Sequence, residues 1–599
     1  MSFKKVSLLL LTAALTVSMT ACGKVSSNQN SSTETVISEE SESDADTGSD
    51  TDTDYSDDSM FTNRDKEIGY DETTATIITL SDGNSSSSSD RVTISGDTIT
   101  ITEEGTYILR GSLSNGQIIV DADSEKVQLV LDNVTITNES SAAIYVKQAD
   151  KVFITLAPDS ENTLSTTGEF VAIDDNNIDG VIFSKDDLTL NGNGSLTISC
   201  AAGHGIVSKD DLVITSGTYN ITAKSHALEG KDSVRIADGT FTLTTGKDGI
   251  HADNEDDESK GFIYIADGTF TITCDSDGLD ATSDIQILGG SFTIQAGDDG
   301  MHSDGALRIA DGTIQITESY EGLEGKTIEI AGGEIHVTAS DDGLNATDGS
   351  GSSAMGFGGN GSAGDDVYIS ISGGTLYVNA GGDGLDSNGN LYVSGGATYV
   401  SGPTSDGDGA LDYEGDAQIT GGIVVAVGSS GMAVNFGENS TQGSILVNTA
   451  TSNSSGEVIL TDSDGNVLVS YTPEKSYSSV VISCPEITTG NTYTLTANGT
   501  DTTIEMTSLI YGSGNGMGMG GGFGGPGGRD GMQDGNDGNF PGGTDGMPDG
   551  DMGTPPDGGT GSTTDGEARG FRQGNKPDRM PGQSDGSESN GSDNGQTSL

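Results

Sequence analysis

The chain has 599 residues, with 92 acidic against 25 basic side chains and a formal net charge of −67. Its 91 glycines and complete lack of tryptophan make it too polar and glycine-rich for an ordinary helical or α/β enzyme. The charge excludes nucleic acid and anionic lipid heads as charge-driven partners and favours cations, or polyanions held through bridging cations.

At the start, Lys4 and Lys5 precede an apolar run from Val6 to Val17 that is too short to span a bilayer. Next comes Met19-Thr20-Ala21-Cys22-Gly23, which resembles a bacterial lipoprotein box with Met where Leu is usual. The resemblance implies a signal peptide over 1–22, cleaved ahead of Cys22, and lipidation of that thiol. The mature chain would then be anchored by lipid at the extracellular face of a bacterial membrane. Residues 23–75 are rich in Ser, Thr, Asp and Glu, cannot bury a core, and read as a disordered acidic linker. A Gly-, Met- and Asp-rich tail over 512–599 reads the same way. Cys200, Cys274 and Cys484 have neither CxxC nor zinc spacing and read as free, buried thiols.

Between these ends lies a repeat. The motif acid-Gly-apolar recurs at Asp248-Gly249-Ile250, Asp277-Gly278-Leu279, Asp299-Gly300-Met301, Glu321-Gly322-Leu323, Asp342-Gly343-Leu344 and Asp383-Gly384-Leu385. His204-Gly205-Ile206 and His226-Ala227-Leu228 occupy the same slot upstream, and most starts are 22 residues apart. Each unit carries three apolar patches with period-two alternation, such as Leu307-Arg308-Ile309 and Ile314-Gln315-Ile316, separated by tight turns like Ala310-Asp311-Gly312-Thr313. Three short strands per coil describe an all-β fold, a parallel β-helix over 76–440, each coil roughly 4.8 Å from the next. Cys200 and Cys274 then fall three coils apart, roughly 14 Å, beyond disulfide reach. Residues 441–511 break the period, with a hairpin closed at Asp464-Gly465, and read as a small β cap over the open end.

Equivalent positions of successive coils stack in columns. The first motif position gives Asp248, Asp277, Asp299, Glu321, Asp342 and Asp383; the fourth gives Glu229, His251, Asp280, His302, Glu324, Asn345, Asp386 and Asp412; the sixth adds Asp253, Asp304 and Glu414. Carboxylates repeated every 4.8 Å or so repel one another, so a tolerated column points to counter-ions. Hard oxygen donors without soft ligands point to calcium, while a merely solvated corner is the plainer alternative. Histidine is a poor calcium ligand, so His251 and His302 read as hydrogen-bonding spacers that break the like-charge ladder. Zinc is less attractive because no HxxxH or HExxH spacing is present. Lys209, Lys231 and Lys326 share the sixth column and read as surface charges beside acids.

The DG(I/L/M)(D/H/E) corners, the AIYVKQADKVFITLA segment and the lipobox together resemble the secreted bacterial carbohydrate-binding β-helix family over about residues 75–510. The resemblance implies a right-handed parallel β-helix with bound calcium, related in fold to pectate lyases, and binding of plant polysaccharides such as polygalacturonate and cellulose. The calcium ligands would map onto Asp248, Asp253, Asp277, Asp280, Asp299, Asp304, Glu321, Glu324, Asp342, Asp383, Asp386 and Asp412. Three functions stay open: non-catalytic calcium-dependent polysaccharide binding, a polysaccharide lyase, and a calcium-stiffened structural surface protein. A lyase needs a base of lowered pKa beside calcium, and no Lys-Arg-acid cluster stands out. Without tryptophan, tyrosines such as Tyr264, Tyr368, Tyr377, Tyr392 and Tyr413 replace a stacking platform only partly, so an acidic glycan fits better.

Overall fold

The computed structural model describes residues 57–349, 366–449 and 455–512. The signal peptide, the lipobox with Cys22, the linker before Asp57, residues 350–365 of one insertion and the tail from 513 onward lie outside the described residues.

Alternation builds the strands. In Thr269–Cys274 the side chains of Phe270, Ile272 and Cys274 are buried, and the intervening threonines face solvent. The same alternation in Thr240–Thr245 and Ser291–Gln295 lets Phe241, Phe270 and Phe292 pair in parallel register. Their rings stack along the axis, with Tyr219 ahead of them, at centroid spacings of 5.2, 4.8 and 4.5 Å. One coil illustrates the whole stack. Its strands Leu279–Ala281, Ile285–Ile287 and Ser291–Gln295 each pair in parallel with the corresponding strands of the coils before and after. The result is a parallel β-helix whose single apolar core runs from Ile78 to Val481.

Two backbone devices close each coil. The corner glycine permits close stacking: a Cβ on Gly300 would lie 2.5 Å from the Gly322 carbonyl oxygen of the next coil. The turn glycine supplies a backbone conformation closed to other residues, with Gly312 at φ +125°.

At the amino end, Thr76–Leu80 pairs in parallel with Gly105–Leu113, beside an antiparallel hairpin of Val92–Ser95 and Thr98–Ile101. At the other end, Ile423–Gly428 of the last coil pairs antiparallel with Ser479–Ser483. A separate four-stranded antiparallel sheet completes the cap, its hairpin turning at Asp464-Gly465. The three thiols are free and buried.

One boundary moves. The linker stops at Asp57, because residues 57–67 form a strap laid across the second strands of several coils. Asp65, 1% exposed, accepts hydrogen bonds from the Thr62 and Thr189 hydroxyls, each at 2.7 Å, and pairs with Lys151 Nζ at 2.9 Å. Asn191 and Thr215 bond its backbone carbonyl, and Phe61 packs on Tyr264 at 5.8 Å between centroids. A few apolar anchors and one well-paired carboxylate suffice to order a segment whose average composition reads as solvated.

Stacked core rings make a sharp stability prediction. Phe270→Ala should cost about 3–5 kcal/mol, read as a lowered urea midpoint. Thr271→Ala, one residue along on the outer face, should change stability by no more than about 0.5 kcal/mol.

Candidate metal-binding edge

The acidic columns come together as one edge along the helix axis. Parallel register places Glu229, His251, Asp280, His302, Glu324, Asn345, Asp386 and Asp412 in unbroken succession. The first column lies three residues earlier on each coil, and its side chains have a backbone task. Asp248 Oδ1 accepts the Asp277 N–H at 3.1 Å, Asp277 Oδ1 that of Asp299 at 2.7 Å, and Asp299 Oδ1 that of Glu321 at 3.0 Å. Asp342 accepts from Asp383 at 2.6 Å, and Asp383 from Gly409. One oxygen of each of these five carboxylates thus joins a coil to its successor.

Counter-charge is spread unevenly along this edge. In its amino-terminal stretch, histidines face the acids. His251 Nδ1 lies 3.2 Å from Asp248 and 2.9 Å from Asp280, while His302 Nδ1 lies 2.9 Å from Asp280. Burial disfavours charge on both rings, yet the facing carboxylates outweigh it and push His251 and His302 up to about 10. Conversely, burial would raise Asp248, Asp280 and Glu229, but their histidine partners, and Lys209 for Glu229, hold all three below the usual carboxylate range. His251 and His302 therefore sit as cationic spacers between acids.

Further along, that compensation ends. Among the described residues, no Lys, Arg or His forms an ion pair with Asp342, Asp383, Asp386 or Asp412. Burial, then mutual repulsion, pushes Asp342 and Asp386 up to about 8 and Asp383 to about 6. Asp277 rises to about 7 for the same reasons. Two carboxylates roughly 4.8 Å apart repel by about 3 kcal/mol at an effective dielectric near 20, so several cannot stay ionised together without a cation. Asp277, Asp298 and Asp299 converge within 4.8 Å, as do Asp299, Glu321 and Glu324. Carboxylate oxygens in such groups suit a hard divalent ion.

The predicted ligands therefore divide. Asp277, Asp299, Glu321, Glu324, Asp342, Asp383, Asp386 and Asp412 remain candidates. Asp248 and Asp280 are engaged by histidine. Asp253 and Asp304 are exposed, because the sixth position points out of the coil beyond the corner. Asp298 joins the set; it precedes the motif, where column alignment does not look. The sixth-column lysines pair with acids, Lys209 with Glu229 at 2.7 Å, Lys231 with Asp256 at 3.0 Å and Lys326 with Asp366 at 2.7 Å. Lys475 of the cap escaped notice, since nothing in its local sequence sets it apart. Its ammonium donates to the Ala380 carbonyl, and burial lowers it to about 8.

The tyrosines offer little flat surface. Tyr264 is fully buried under the strap. His336, Tyr377 and Tyr399 stack face to face at 4.5 and 5.1 Å, and Tyr471 packs on Tyr399 at 5.1 Å with a 30° tilt, which covers faces a sugar would use. Tyr368 and Tyr392 are tilted against each other, and the Tyr413 hydroxyl donates to the Asn435 carbonyl at 2.6 Å.

Fold and edge together define a solenoid that presents ligand atoms in a line, a surface matched to a repeating polymer. The family model for carbohydrate-binding domain-containing proteins matches residues 95–347 and 296–514, more than half of the chain between them, and the chain belongs to that family. A carbohydrate-binding domain-containing protein of Acetivibrio thermocellus is 43% identical over 140 residues, 23% of this chain. The match spans 48%, about half, of that relative's length. A solved structure of the polysaccharide lyase-like protein from C. thermocellum, a gadolinium derivative, is 34% identical with a TM-score of 0.39, covering 39% of this chain and 97% of the other.

The shifted groups set a pH dependence. The raised carboxylates bind protons more tightly folded than unfolded, so their contribution is fullest below about pH 4 and is lost as pH rises through their folded values. His251 and His302 run in the same direction between about pH 6.5 and 10; the depressed acids act oppositely, but only below about pH 4.5. In chelator, the thermal midpoint should fall from pH 5 to pH 8 or so. Asp386→Asn should flatten that slope.

Proposed function

We propose that the protein is a non-catalytic, calcium-dependent binder of acidic, polygalacturonate-like plant polysaccharide, displayed at the bacterial cell surface. The observation that carries this reading is the run of half-buried carboxylates from Asp342 to Asp412 with no cationic partner among the described residues. Calcium held there by Asp342, Asp383, Asp386 and Asp412, and by Asp299, Glu321 and Glu324 in the coils before, would neutralise the edge. It would also leave open positions for uronate oxygens of the glycan. A chain of net charge −67 needs such a bridge to approach a polyanion. The scarcity of open aromatic faces favours this over stacking on neutral glucans, so cellulose is the weaker ligand here. Display at the surface follows from the lipobox at Cys22, whose lipid would anchor the chain.

A lyase reading has one observation behind it. Lys475, lowered to about 8 by burial, contacts Ala380, three residues before Asp383.

Binding to immobilised polygalacturonate should be lost in chelator, restored by calcium, and reduced at least about ten-fold by Asp342→Asn/Asp386→Asn. Full-strength binding in chelator would sink the calcium bridge. Unsaturated uronate released in calcium by the wild type but not by Lys475→Ala would establish the lyase instead.

A further inference from the structure

The amino-terminal end of the edge carries donors of a different kind. His204 and His226 occupy one slot on consecutive coils, and Glu229 follows three residues after His226. One donor atom from each lies within 4.8 Å of the other two. His226 is 6% exposed, and its Nδ1 makes no aligned hydrogen bond although Asp248 Oδ2 stands 2.9 Å away. His204 Nδ1 is likewise buried and without an aligned bond, 2.9 Å from Glu229 Oε2. An orphan lies beside them. Asp179 Oδ1 is buried without a hydrogen-bond partner and feels the charges of His204, Lys209 and Glu229. Native structures rarely leave a buried polar atom unsatisfied, and this one borders the two histidine–carboxylate contacts.

We propose that His204, His226 and Glu229 form a site for a borderline divalent cation of the zinc class, separate from the all-oxygen run further along the edge. Two imidazole nitrogens and one carboxylate are a donor set that selects zinc, copper or nickel over calcium. The 2.9 Å approach of His204 Nδ1 to Glu229 Oε2 sets two of the three donors side by side. The His204 and Glu229 side chains are 14% and 13% exposed, which leaves a path in and a position for water.

The neighbouring His226, Asp248 and His251 group suits a metal less well. His251 Nδ1 is committed between two carboxylates, 3.2 Å from Asp248 and 2.9 Å from Asp280, whereas His204 Nδ1 faces only Glu229. Lys209 occupies only Glu229 Oε1, and at 34% exposure it can withdraw into solvent.

The test uses the untagged full chain, stripped with chelator, then saturated with calcium and titrated calorimetrically with zinc chloride. One zinc should bind at micromolar affinity or tighter in the presence of excess calcium. His204→Gln/His226→Gln should weaken it at least about ten-fold, and Asp386→Asn should leave it unchanged. Cobalt(II) should give a visible absorption band with the wild type that His226→Gln loses, and His204→Gln alone serves if the double variant fails to fold. Zinc bound equally well by wild type and folded histidine variants, or displaced by calcium as readily as from the acidic run, would overturn the site. Because the zinc measurement is made with calcium already saturating, it is independent of the calcium reading.

Discussion

In a stacked solenoid, whatever one corner carries is carried again roughly 4.8 Å further along. That spacing suits apolar side chains, and the Tyr219–Phe292 ring stack uses it to fill the core without a gap. For carboxylates the same spacing is costly, because partial burial weakens the screening that water would give. The chemistry of this molecule follows from how that repulsion is relieved at each point along the edge.

Part of the answer lies in the backbone. Where Asp Oδ1 accepts the N–H of the next coil, the acid links coils while the following glycine allows the close approach. The recurrence of Asp-Gly at these corners therefore has a structural cause that needs no ligand. Function rests on the remaining oxygens, and the environment along the axis differentiates them. Facing histidines neutralise Asp248 and Asp280, whereas the acids from Asp342 onward have only one another. One repeated motif thus yields a self-compensated stretch and an electrostatically unsatisfied one.

Much of this is legible in the chain. A 22-residue period with three apolar patches leaves little choice but a β-helix, and the fourth-column register is recovered residue for residue, from Glu229 to Asp412. Column alignment misleads where direction matters. Asp253 and Asp304 share a period with the corner acids, yet they stand exposed past the corner. It is also blind to what arrives from elsewhere in the chain. The strap from Asp57 to Glu67 buries Tyr264, and the cap brings Lys475 against Ala380; both contacts join segments that have no periodic relation.

The sequence by itself determined the fold class, the identity of the stacked columns and the acidic character of the edge, because periodicity and composition are one-dimensional properties. Only the tertiary structure decided which acids are paired and which are crowded. Spacing also hid the histidine corner: His204, His226 and Glu229 match no linear metal motif, because the coil, not a helix or hairpin, sets the interval that brings them together. Pairing and burial depend on distances across coils, strap and cap, and those exist only once the chain has folded.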